Sequence, residues 1–185
     1  MENRNLDMEA NAEMVAQTST GLRRRLENYY TIACQSPDGN IRWVDSVENL
    51  VVTTGLNDSL DQHLTGSGYT AAWYIGICSG TAATFAAGDT MSSHAGWTEG
   101  TIYSQGNRVT LTMAAASGGS TSNVLNKGTF SINAAGTLCG AFITTAATKG
   151  GTDGTLYGGG QFGSNRVVGD GDTLNVTIVC TASAS

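Results

Sequence analysis

The 185-residue chain is 40% hydrophobic but only 13% charged, with 25 glycines and a single proline, Pro37. That profile supports one packed core joined by tight turns. It excludes a helical bundle, whose surface needs Glu, Lys and Arg, and it excludes the charge-rich composition of a disordered chain. A net charge of −6, with lysine only at Lys127 and Lys149, leaves no broad basic face for nucleic acid.

Residues 1–28 hold most of the helix-forming side chains. Leu6, Ala10 and Met14 recur every fourth residue, and "TSTG" offers a cap before a second short helical turn, "LRRRLEN". So short a segment cannot bury itself, so it is read as a partly helical, extended N-terminal arm, with the β-domain occupying 29–185. The arm is acidic at its start and lacks the apolar run of a signal peptide. No stretch of the chain is apolar for long enough to span a membrane as a helix. Synthesis in a reducing cytoplasm is expected, with Cys34, Cys78, Cys139 and Cys180 as free thiols.

From Tyr29 the period changes to two. "YYTIACQ" places Tyr30, Ile32 and Cys34 on one face, "SPDG" has the residues of a type I turn, and "NIRWVDSV" alternates Ile41, Trp43, Asp45 and Val47. The leucines of "TTGLNDSLDQHLTG" then predict one helix over about 55–64, capped by Thr54 and stopped by Gly66, with Leu56, Leu60 and Leu64 on its buried stripe. Strands are expected near 69–78, 97–104, 107–113, 127–133, 137–145, 154–162 and 173–181, separated by glycine-rich turns that include "SGGSTSN" and "GSNRVVGDGD". "SGYTAAWYIGICSG" is apolar or small on both faces, which predicts a strand buried on both sides. The last strand points Leu174, Val176, Ile178 and Cys180 inward. With no βαβ alternation and no repeat period, the expected fold is all-β, a β-sandwich or jelly-roll-like domain with one short helix. Trp43, Trp73 and Trp97 are its expected core aromatics.

No catalytic set emerges, so no enzyme is expected. His63 belongs to the helix. His94 shares a loop with Asp89, Ser92, Ser93 and Glu99, but no G-x-S-x-G elbow exists; these groups are expected to bond the loop backbone while Trp97 anchors it. One such histidine among scattered carboxylates is not a zinc site. Asp170 and Asp172 lack the further ligands of a calcium loop, and the glycine clusters match no phosphate-binding motif. No cofactor or metal is expected. What remains is a weakly charged, turn-rich surface suited to assembly.

The stretch from about Asn49 to Ser183 carries "NLVVTTGLNDSLDQHL", "GYTAAWYIGI", "AAGDTMSSHAGWTEGTIYS", "FSINAAGTLCGAFITT", "GGTDGTLYGGGQF" and "GDTLNVT". In these it resembles small virion structural proteins of tailed bacteriophages. The resemblance implies a virion role, and together with the composition it favours a capsid decoration, or cement, protein on the capsid surface. The implied partner is the major capsid protein, contacted by Leu6, Met14, Leu22, Arg23, Arg24, Arg25 and Leu26 of the arm, with self-association into a dimer or trimer and no direct contact with nucleic acid or membrane. The alternative is a tail or tail-fibre-associated adsorption protein that binds host-surface glycan.

Overall fold

In a computed structural model, residues 24–65 and 72–184 are described. Ten strands run antiparallel: β1 (Arg24–Gln35), β2 (Ile41–Val51), β3 (Trp73–Ser79), β4 (Thr98–Gly100), β5 (Val109–Leu111), β6 (Ser120–Ser122), β7 (Gly128–Ser131), β8 (Gly136–Thr144), β9 (Leu156–Val168) and β10 (Thr173–Ala184). Their order is β4-β3-β8-β9-β2-β1-β10-β6, with β5 also on β3 and β7 also on β10. One helix, α1 (Thr53–Leu60), continues into a π-helical turn, Asp61–Thr65. Over the described residues the protein is all-β with one short helix.

The sheet rolls until its two ends meet. Beyond β4, Tyr103 bridges Ile132 beyond β7, supported by Ser104 N–H donating to the Ser131 carbonyl (2.8 Å) and Asn133 N–H to that of Ile102 (3.2 Å). The interior collects one alternate face of each strand. Tyr30, Ile32 and Cys34 from β1 meet Leu174, Val176 and Ile178 from β10 and Ile75, Ile77 and Ile143 from β3 and β8. This is the face that period-two reading assigns to β1 and β10. A second, smaller cluster lies on the opposite side of β3, β8 and β9: Cys78, Cys139, Phe142 and Leu156 under Ala83, Met91 and Trp97 of the 80–97 loop. The strand β3 is therefore buried on both faces.

Between β2 and β9 the main-chain ladder covers only Leu50–Gly159 and Val51–Gly158. Further along, side chains take over. Arg166 Nε donates to Asp45 Oδ2 (2.9 Å), Trp43 Nε1 donates to the Val167 carbonyl (3.0 Å), and Trp43 packs on Phe162. Asp45 faces inward, as its register predicts, because Arg166 neutralises it there.

Several expectations change. Arg24–Asn28, read as a helical turn of the arm, are the first residues of β1, paired residue for residue with Ala184–Cys180; a long strand partner outweighs local helix propensity. β6 lies within "SGGSTSN", read as a turn, and β9 continues to Val168. Thr54 does not cap α1. The N-cap is Val52, with no side-chain cap, and Thr54 Oγ1 donates to the Leu156 carbonyl (2.8 Å).

Candidate interaction site

The largest departure from expectation is the rotation of α1. Its leucines face solvent: Leu56 is 40%, Leu60 53% and Leu64 77% exposed, and the helix's buried residue is Gly55. The cause lies in the preceding strand. β2 leads straight into the helix, with Val52 N–H bonded to the Tyr157 carbonyl (3.1 Å) and Thr53 N–H to that of Ala87 (2.8 Å). The first turn is thereby pinned against β9, so closely that a Cβ on Gly55 would lie 2.3 Å from the Tyr157 oxygen. Burying a leucine stabilises by about 1.5–3 kcal/mol, so this rotation forgoes several kcal/mol of apolar burial. The stripe is an apolar row that the fold itself leaves uncovered.

The opposite side of α1 presents Asp58, Ser59 and Gln62 to a cavity of about 240 Å³ at one end of the rolled sheet. Trp73, Tyr157, Leu111, Met113 and Ile143 form its apolar wall, with Thr121 and Cys180 beside them. Trp73 meets Tyr157 edge-on at 5.3 Å. Trp73 and Trp43 are half-buried at the margins of the main core, whereas Trp97 is buried in the second cluster.

The His94 loop is built for structure. His94 stacks on Trp97 at 3.6 Å, and its Nδ1 lies 3.1 Å from the Trp97 carbonyl. Asp89 Oδ2 accepts from Trp97 Nε1 (3.2 Å) and from Ala86 N–H (3.1 Å). Ser93 N–H donates to Thr90 Oγ1 (3.0 Å). The carboxylate that a triad would need against the histidine is bonded to the indole instead. Asp172 is buried in the β9–β10 turn. Its Oδ2 accepts from Gly169 N–H (2.7 Å) and the Cys34 thiol (3.6 Å), and Arg42 Nε lies 3.2 Å from Oδ1 as an ion pair. Among the described residues, no group of three or more His, Cys, Asp or Glu side chains is arranged to hold a metal ion. Among them also, no helix is long and apolar enough to cross a membrane.

Sequence reading also passed over a buried, bidentate ion pair. Arg108 donates through Nε and Nη2 to both Glu99 oxygens (2.9 and 2.7 Å) and through Nη1 and Nη2 to the carbonyls of Ala146 and Gly151 (2.9 and 2.7 Å). Beside it, Lys149 donates to the carbonyls of Tyr103 and Gln105 (2.8 and 2.7 Å) and sits 4.3 Å from the Tyr103 ring centre. Both cations tie down the 145–151 loop and are thereby withdrawn from surface recognition.

Of the residues expected to contact a partner, Leu6, Met14, Leu22 and Arg23 lie outside the described residues. Arg24, Arg25 and Leu26 belong to β1, where Leu26 is half-buried.

All four cysteines are free thiols; Cys34, Cys78 and Cys139 are buried and Cys180 is half-buried. Burial, aided by neighbouring Asp172 and opposed by Arg42, pushes the Cys34 thiol from 9.0 up to about 12. Burial also raises Cys180, to about 11, and holds the Tyr30 hydroxyl well above its ordinary value. Between the unfolded and folded values the unfolded chain binds fewer protons, so this stability is fully present below about pH 9 and is lost as pH rises toward 12. The urea midpoint is expected to hold steady up to about pH 8 and fall above about pH 9, each such thiol adding about 1.4 kcal/mol per pH unit to the slope. Cys34→Ala is expected to flatten that fall; a midpoint unchanged through this window would refute the assignment.

No protein-family model matches the chain, and no curated protein matches it at a significant level.

Proposed function

We propose that this protein is a structural component of a tailed-bacteriophage virion, a decoration protein that binds the major capsid protein and stabilises the head without catalysing a reaction. The observation that carries this reading is the outward leucine stripe of α1, an apolar row left exposed while the Asp89–Trp97 and Arg108–Glu99 clusters hold loops in place. The resemblance of residues 49–183 to small virion proteins supports it, as does the low charge. On this reading the rolled sheet is a jelly-roll-like β-sandwich. Strands β10-β1-β2 face β9-β8-β3 across one core, and β2 is shared between the layers. Residues 1–23 contribute contacts to the capsid protein, and copies self-associate, so that modest contacts add up through multivalency.

Quantitative mass spectrometry of purified virions tests this. The expected result is a copy number comparable to that of the major capsid protein, with capsids lacking the protein disrupted at lower temperature. A copy number far below the capsid protein's overturns the decoration role. Truncation should stop at residue 23, because β1 begins at Arg24. The truncated protein is expected to fold and to lose capsid binding.

A second reading, a tail-associated protein that binds glycan, draws on a shallow groove of about 280 Å³. There Glu48, Phe85 and Gln161 are gathered around Gly159 and Gly160, with the Phe85 ring packed over Gly159. Low copy number together with glycan binding lost in Phe85→Ala would favour it.

A further inference from the structure

The cavity at the end of the rolled sheet has a counterpart on the same chain. From Thr121, which lines the cavity, the chain passes through the end of β6 into a turn at 123–127 that carries Val124 and Leu125, 52% and 86% exposed. This turn is firmly set. Asn123 is buried, its Nδ2 donating to the Val176 carbonyl (3.1 Å) and its Oδ1 accepting from Ile178 N–H (2.6 Å), while Asn126 N–H closes the turn onto the Asn123 carbonyl (2.8 Å). Just past the leucine stands Lys127, also exposed, one of only two lysines in the chain. The other, Lys149, is bonded to two carbonyls inside the fold. The turn is thus a rigid apolar knob with a cation at its base.

The cavity is complementary in each respect. Its wall is apolar, and at about 240 Å³ it exceeds the ~150 Å³ of an apolar cavity known to admit benzene, so an aliphatic side chain fits whole. Among the described residues that line it, the charged one is Asp58. Knob and cavity are neighbours along the chain: Thr121 of β6 lines the cavity, and the end of β6 leads into the turn. Since each copy carries both halves, one contact made twice across a two-fold axis gives the self-complementary arrangement that closes. A preset knob loses little freedom on insertion.

We propose that this protein dimerises by seating Leu125 of each copy in the cavity of the other, with Lys127 of the first facing Asp58 of the second. This deepens the self-association proposed above by naming its surface, and it does not depend on a virion role.

Analytical ultracentrifugation of the full chain in the micromolar range tests it. The wild type is expected to be a dimer. Leu125→Asp is expected to weaken dimerisation by about 30-fold or more, as loss of a central buried anchor does. Lys127→Asp and Asp58→Lys are each expected to weaken it about tenfold, and the double variant to return to within about threefold of wild type, because the pair is inverted and not removed. Alkylation of Cys180, which lines the cavity, is expected to run slower in the wild-type dimer than in Leu125→Asp. Circular dichroism of each variant establishes that the fold is retained. A monomeric wild type overturns self-association altogether. A dimeric wild type that tolerates Leu125→Asp, or a double variant weaker than both singles, overturns the knob-and-cavity pairing alone.

Discussion

Arg108→Met is expected to destabilise the domain by about 3–5 kcal/mol, a large part of the 5–15 kcal/mol that holds a typical domain folded. The substitution approximates the length of the aliphatic stem but leaves Glu99, its side chain only 9% exposed, without its cation. It also strips the Ala146 and Gly151 carbonyls of side-chain donors, leaving the 145–151 loop held by Gly150 N–H on Glu99 (2.9 Å) and by Lys149. Glu99→Gln is expected to cost less than Arg108→Met, since the amide can still accept from the guanidinium. Arg108→Met combined with Glu99→Leu is expected to cost less than the sum of Arg108→Met alone and Glu99→Leu alone, because no charge is then left buried alone. Urea denaturation of the wild type, these two single variants and the double variant measures this. Strict additivity would show that the two groups do not act as a pair.

The second large effect is expected at Phe142. In β8 it lies directly opposite Gly76 of β3, and its ring occupies the space over that glycine: a Cβ on Gly76 would fall 2.1 Å from the ring. The ring supports Trp97 (4.8 Å between centres), which in turn stacks with Phe85 (5.0 Å) and His94. Phe142→Ala removes the base of that stack and is expected to cost about 3–5 kcal/mol. Gly76→Ala overpacks the same space and is expected to cost about 1–3 kcal/mol. The combination is expected to be milder than the sum by about 0.5–3 kcal/mol, since the added methyl fills space the ring has vacated. Thermal unfolding of the three variants decides this. An additive double variant would mean that the two residues do not share that volume. Phe142 also lies 5.4 Å below the Arg108 guanidinium, so its loss is expected to weaken the ion pair above it.

The parts of the fold that sequence made legible are those in which one local signal decides. In β1 from Tyr30 onward and in β10, period-two alternation fixed which face is inside, because no charge competes at those positions. The apolar double face of β3 reflects two real cores. The parts that were not legible depend on distant partners. "LRRRLEN" favours a helix by itself, yet its last residues are extended because β10 runs alongside them. The "STS" of β6 has nothing strand-like in composition and is a strand only because β10 offers an unpaired side. The leucine period of α1 was read correctly as a helix and assigned to the wrong face. A stripe at i, i+4 and i+8 reports only that the leucines share a side, and the contact at Gly55 decides which side that is. The cavity was invisible for the same reason, being assembled from α1, β3, β5, β6, β8, β9 and β10 at positions scattered along the chain.

Closure of the sheet at Tyr103 and Ile132 also restricts how this protein can be recognised. At the ring's outermost strands a partner cannot easily join by lending a strand, since among the described residues those strands are brief and already spoken for on their inner side. The longer opening, where β2 parts from β9 before Leu50, is bridged by Trp43 and by the Asp45–Arg166 pair. A crowding neighbour therefore meets side chains before it meets backbone, and fibril growth by strand stacking has to displace that bridge first.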